Sequence, residues 1–252
     1  MECPGEDPYL TGQYAAQFVT GFQESSESPG QLLASACCKH FVANEMEHTD
    51  QNGIVEDRES FGEFSLDNFF FFKIIEDATV PMNDLIDSYM APFQVCVEEG
   101  KVSGVMCSYN AVNGIPSCAN DWLLKEVLRD SWGFDGYITS DCDADSDVFY
   151  KHNYTKTPEE SVRDILRAGT DVDCGGFVSN FVQSALKKGL ITLEDIDKRL
   201  RNLFRVRYRL GHFDASSPLN SVPLSGKFCF CSYHVFVFQV MFLFSLFFWN
   251  YF

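Results

Sequence analysis

The sequence predicts an α/β fold built on a parallel sheet, and three observations carry that prediction. Four short apolar stretches recur, at 35–44 (SACCKHFVAN), 101–110 (KVSGVMCSYN), 136–143 (GYITSDCD) and 169–175 (GTDVDCG). Helical patterns lie between them, the alternation that a parallel sheet requires. Polar clusters gather where the strands end: Lys39-His40, Tyr109-Asn110, Asp141 and Asp171-Asp173. Parallel α/β architectures place function at the carboxyl ends of their strands.

The helices follow from spacing and caps. Leu85, Tyr89, Phe93 and Val97 recur four apart, one face of a helix across 84–100. Leu124, Val127, Leu128 and Trp132 do the same across 121–134. Thr157, Pro158 and Glu160 form a cap, a first helical position and a capping box. A last helix runs from a Thr192 cap to Gly211, with arginines in its later turns where the macrodipole favours cations.

Two stretches break the pattern. Residues 66–83 insert four consecutive phenylalanines between a charged stretch and a good helix, and read as an atypical insertion. Residues 228–252 carry no Asp, Glu, Lys or Arg and are long enough for a membrane span. Their phenylalanine density favours translated non-coding sequence over an anchor, so 215–252 is separated from a domain at 1–214, and a membrane is a partner only if the tail is genuine.

Composition narrows the function classes. The chain has 252 residues, 46% of them hydrophobic, enough for a substantial core. A net charge of -17 argues against nucleic acid as a partner, since phosphate binding needs clustered cations. Ten cysteines occur without a CxxC pair, which excludes a zinc ribbon or thioredoxin motif and leaves buried thiols with one or two disulfides. The first residues lack the charged and apolar regions of a secretory leader. One glycosylation sequon is present, Asn153-Tyr154-Thr155.

The run Asp141, Asp143, Asp145, Asp147 invites a calcium reading. Counted from Asp141, however, the glycine position of an EF-hand loop holds Ser146 and the bidentate glutamate position holds His152. Counted from Asp143, these positions hold Val148 and Tyr154, so no metal is implied. The catalytic reading is that Asp141 closes the strand YITSD as a carboxylate able to attack an electrophilic carbon. Lys39 and His40 at another strand end would supply cationic company. Asp143, Asp145 and Asp147 are expected to cap the next turn or face water, and Asp171 and Asp173 to brace the site from behind.

Beyond these single positions, CCKHFVANE, GVMCSYNAVNGIPSCANDWLLKEVLRDSWGFDGYITSDCDA and AGTDVDCG closely resemble glycoside hydrolase family 3, in its β-xylosidase and α-arabinofuranosidase branch. PGEDPYLTGQYAAQFVTGFQ and KRLRNLFRVRYRLGHFD resemble the same branch. The resemblance implies a TIM-like (β/α)8 first domain, here partial and truncated, and a retaining glycosidase without a cofactor. It makes Asp141 the nucleophile. It gives Lys39, His40, Arg58, Met106 and Tyr109 to the sugar. Arg58 is the weakest of these matches, and Glu2 falls in a further matched stretch. Cys142 stands where many relatives have Trp, as in the xylosidase branch. The expected substrates are β-xylosyl or arabinosyl oligosaccharides from hemicellulose, and the expected location is extracellular. No residue matches the family's acid/base, so weak or no activity is expected of this chain alone. The competing readings are a non-catalytic sugar-binding remnant and a Schiff-base aldolase using Lys39.

Overall fold

The computed structural model describes residues 4–24, 30–44 and 77–214. The tail beyond 214, Glu2, Arg58 and the phenylalanine run lie outside them. Helix α1, Pro8–Gln23, starts on an Asp7 cap whose side chain accepts from the amides of Tyr9 and Leu10. Its buried face, Gly12, Ala16, Val19 and Gln23, packs on helix α3, Ala91–Glu98. Gly12 is needed there, because a Cβ would meet the Val95 side chain at 3.0 Å. The buried Gln23 then ties α1 to the sheet. Its Oε1 accepts from the amides of Ala36 and Ser103 and from the Ser103 hydroxyl, while its Nε2 donates to the Lys101 carbonyl.

Three parallel strands form the main sheet in the order β1 (Cys37–Phe41), β3 (Gly104–Cys107), β6 (Tyr137–Ser140). The β3–β6 register pairs Gly104 with Tyr137 and Cys107 with Ser140; the β1–β3 register shifts between Cys38 and Phe41. Gly136 lets β6 approach β3, since a Cβ would fall 2.2 Å from the Ser103 carbonyl oxygen. Among the described residues this sheet is open and holds three parallel strands. The expected fourth strand, 169–175, is reduced to a single parallel bridge between Thr139 and Val172. The reason is local: the Asp171 carboxylate takes the Ile138 amide at 2.8 Å, a donor that a longer ladder would need.

A second sheet joins β2 (Asp77–Ala78), β4 (Ala111–Val112) and β5 (Ile115–Pro116). β4 and β5 form a hairpin whose turn residues, Asn113 and Gly114, both have positive φ, the geometry that Asn-Gly favours. Asp77 accepts from the Gly114 amide at 2.7 Å and Asn113 from the Val80 amide at 2.9 Å. The end of the stretch 66–83 is therefore joined to the fold.

The two helices predicted from four-residue spacing both contain π turns. Helix α2, Met82–Asp84, runs through a π segment at Leu85–Met90 into α3, and a second π segment spans Trp122–Ser131. A π turn advances by about five residues. The buried seam accordingly steps from Leu85 to Met90, leaving Tyr89 and Phe93 only partly buried. Leu123, Leu124 and Leu128 are fully buried against Phe41, Val105 and Ile138 on the helix side of the sheet. Each such side chain stabilises the fold by about 1.5–3 kcal/mol.

Four further helices complete the layer: α4 (Ala144–Tyr150), α5 (Pro158–Ala168), α6 (Phe177–Lys187) and α7 (Leu193–Arg209). α5 carries the Thr157–Glu160 capping box, and α7 has one formed by Thr192 and Asp195. Val148, Val162, Ile165, Phe177 and Ala185 form their shared core. Instead of one or two disulfides there are three among the described residues: Cys38–Cys96, Cys107–Cys118 and Cys142–Cys174. Irregular sequence spacing hid them because each pair meets only when strand, helix and loop are brought together.

Candidate active site

Asp141 follows directly on β6 and is 5% exposed. Its amide donates to the Cys107 carbonyl at 3.0 Å, which extends the β3–β6 ladder by one residue and fixes where the side chain emerges. One carboxylate oxygen, Oδ1, accepts from the Cys142 amide at 2.7 Å. The other, Oδ2, lies 3.3 Å from His40 Nε2. β1 and β6 flank β3, so their backbones lie about 10 Å apart across the ladder. The imidazole and the carboxylate reach towards each other over the end of β3.

The remaining sequence candidates distribute around this pair. Lys39 is half-buried next to His40 in β1, where the backbone peptides Lys39–His40 and Phe41–Val42 are cis. The buried thiol of Cys37 is pushed up to about 12 by desolvation, with the charge of Lys39 opposing the rise and that of Asp141 adding to it. Met106 pairs with Thr139 in the ladder. Its neighbours Val105 and Cys107 belong to the helix-side core, so strand alternation turns Met106 to the opposite face. Tyr109, two residues beyond β3, donates its hydroxyl to the Cys142 carbonyl at 2.8 Å. It thus holds the Cys142–Asp143 peptide, one residue beyond Asp141.

Residues to which the sequence assigned no role in the site complete the frame. His152 Nε2 bonds the Tyr109 carbonyl at 2.8 Å. Desolvation lowers the His152 pKa, favouring the neutral imidazole, and a carbonyl partner requires the proton on Nε2. Asn110 donates to the carbonyls of Val42 and Ala43, locking the turn after β1 to the end of β3. The Cys174 amide donates to Ser140 Oγ and its carbonyl accepts from Asp143, so disulfide and hydrogen bonds together clamp the Asp141 loop. A lone histidine at the end of a helix carries no signal in sequence that would have singled it out.

The aspartate run has no common purpose. Spacing of two lines up side chains on a strand but scatters them on a helix, and the chain changes from one to the other after Asp141. Asp143 is exposed at φ 69 before α4. Asp145 and Asp147, expected to cap a turn or face water, are instead buried. Asp147 pairs with Lys151 at 3.1 Å. Asp145 is 0% exposed, and neither carboxyl oxygen has a hydrogen-bond partner among the described residues. Burial pushes its pKa well above the ordinary 3.8, and the charge of Asp173 adds to the rise. Folding therefore favours the protonated form. The stability this contributes is full below the ordinary carboxylate value and is lost as pH rises through the folded-state value. Asp145→Asn is expected to raise the melting temperature more at neutral pH than in acid; equal gains at both would show that ionisation of Asp145 is not what limits stability.

Asp171 and Asp173, expected to brace the site, do so only in part. Asp171 sits at the amino end of β6, bonded to Arg129 and to the Ile138 amide, away from Asp141. Asp173 caps α6 through the Val178 amide at 2.8 Å.

A mixed α/β scaffold with a carboxylate at the carboxyl end of a parallel strand, faced by an imidazole, defines an α/β protein with a strand-end carboxylate site. The family model for the glycosyl hydrolase family 3 N-terminal domain matches residues 73–206, just over half of the chain, and the chain belongs to that family. It is 39% identical to probable β-D-xylosidase 6 of Arabidopsis thaliana, with 92% of this chain and 29% of the relative aligned. It is 41% identical to β-xylosidase/α-L-arabinofuranosidase 2 of Medicago sativa subsp. varia, over 85% of this chain and 25% of the relative. Among solved structures, a family 3 exo-β-xylosidase in complex with a xylobiose aziridine activity-based probe matches with a TM-score of 0.72 and 32% identity, over 84% of this chain and 25% of that one. The chain spans about a quarter of the length of the relatives it matches.

Proposed function

We propose that this chain carries the nucleophile half of a retaining glycosidase acting on β-xylosyl or α-arabinofuranosyl ends, with Asp141 as the attacking carboxylate. The observation that carries this reading is the Asp141 side chain itself. It is fixed by one amide, 3.3 Å from His40, at a strand's carboxyl end in a family 3 chain. A retaining reaction uses a carboxylate to displace the leaving group and form a covalent glycosyl-enzyme, which water then hydrolyses. His40 would grip the sugar or orient the carboxylate. Lys39 and Met106 would line the bound ring, and Tyr109 would position the loop carrying the nucleophile. Arg58 keeps its place in the proposal through motif resemblance alone.

The second carboxyl, which protonates the leaving oxygen, has no counterpart in the matched motifs. Positioned acid help is worth about 10²–10⁴-fold. The chain is therefore expected to react with a dinitrophenyl xyloside, whose leaving group needs no proton, and to turn over xylobiose slower by at least that factor. Comparable rates on the two substrates would show that a general acid is present after all.

The deciding experiment is trapping. Incubation with an activated 2-deoxy-2-fluoro-xyloside, followed by peptide mass spectrometry, is expected to find the sugar on Asp141. A label on another carboxylate would refute the assignment, and a borohydride-trapped adduct on Lys39 with a carbonyl substrate would favour the aldolase reading.

A further inference from the structure

We propose that Asn153 is an acceptor for N-linked glycosylation. Asn153-Tyr154-Thr155 is the one sequon in all 252 residues. It falls in the connection between α4, ending at Tyr150, and α5, beginning at Pro158. Asn153 is exposed and has φ 49, a left-handed conformation that asparagine tolerates better than most residues. Tyr154, the middle residue of the sequon, is also exposed, as is Tyr150 at the end of α4. A surface turn with a non-proline middle residue is the setting in which such sequons are used.

Three disulfides supply the second, independent observation. Cys38–Cys96, Cys107–Cys118 and Cys142–Cys174 join separate elements of the fold, and bonds of this kind persist where the environment is oxidising. The compartment that forms them is also the one that holds the glycosylation machinery.

The chemistry is compatible with the native contacts. The co-reactant is an oligosaccharide linked to a lipid diphosphate. Asn153 Nδ2 bonds to C1 of its first sugar, the C1–oxygen bond to the diphosphate breaks, and the lipid diphosphate leaves with the electron pair. One amide proton is lost to a base of the transferase. The amide keeps its second N–H, enough to retain the observed donation from Nδ2 to the Lys151 carbonyl at 3.0 Å. In the folded chain the Thr155 hydroxyl is engaged, donating to the Thr157 carbonyl and meeting Ser161 Oγ at 2.5 Å. Transfer therefore precedes closure of the first turn of α5, while the chain is being translocated.

The test is synthesis of the full chain behind a cleavable secretory leader in the presence of endoplasmic-reticulum microsomes. The expected result is one protease-protected species of increased mass, returned to the unmodified mass by peptide-N-glycosidase, with conversion of Asn153 to aspartate in the mapped peptide. Asn153→Asp and Thr155→Val are each expected to abolish the shift. Because modification accompanies translocation, the readout does not require either variant to fold. A protected chain with no glycosidase-sensitive species, or a shift that persists in Asn153→Asp, would overturn the proposal.

Discussion

Asp141→Asn is expected to slow glycosyl-enzyme formation with a dinitrophenyl xyloside by on the order of 10⁴-fold or more, the scale seen when an attacking group is removed from an otherwise intact site. The substitution is nearly isosteric. The Asn side-chain oxygen still accepts from the Cys142 amide, a contact that in the native chain measures 2.7 Å. What disappears is the carboxylate oxygen that faces His40 Nε2, the group proposed to attack the sugar. Xylose binding should therefore persist while labelling fails. His40→Ala touches the same carboxylate indirectly and is expected to cost less, about 10²-fold, the penalty of a misplaced reacting group. Stopped-flow release of dinitrophenolate measures both. A drop under tenfold in Asp141→Asn, with the fold intact by circular dichroism, would remove this residue from the reaction.

The parts legible in the sequence are those whose signal is local. The three strands at Cys37–Phe41, Gly104–Cys107 and Tyr137–Ser140 follow from apolar runs that end in polar residues. The capping box at Thr157 and the cap at Thr192 each lie within four residues of chain and appear as read, the latter completed into a box by Asp195. The proximity of His40 to Asp141 was foreseeable because both close strands that end on the same rim. Other features depend on contacts that no window of sequence contains. Val172 makes one bridge rather than a strand because the Asp171 side chain answers the Ile138 amide. The π segments at Leu85–Met90 and Trp122–Ser131 shift the buried seam to suit the neighbouring layer. The burial of Asp145 reflects where α4 happens to point it. The Asn113-Gly114 hairpin is the opposite case: its signal is local and strong, and the surrounding apolar run obscured it.

Asp171→Ala is expected to destabilise the fold by about 3–5 kcal/mol, the cost of stranding a buried charge by removing its partner. The Asp171 side chain is 0% exposed and its carboxylate receives four groups. Arg129 Nη2 approaches Oδ2 at 2.6 Å and the Ile138 amide donates to the same oxygen; Arg199 Nη1 lies 3.3 Å from Oδ1, which also accepts from Asn202. Burial pushes the carboxyl up and the Arg129 guanidinium down, each towards its neutral form, and the opposite charge of the partner resists both shifts. Alanine removes that resistance and leaves two guanidinium groups, 14% and 15% exposed, beside an unanswered backbone amide. Urea denaturation should show the loss as a lower midpoint with an unchanged slope. The network anchors the amino end of β6, where Arg129 also donates to the Gly136 carbonyl at 3.0 Å, while Asp141 leaves the other end. The labelling rate per folded molecule should thus be unchanged in Asp171→Ala. A variant that kept its stability but lost labelling would make Asp171 part of the site rather than part of its foundation.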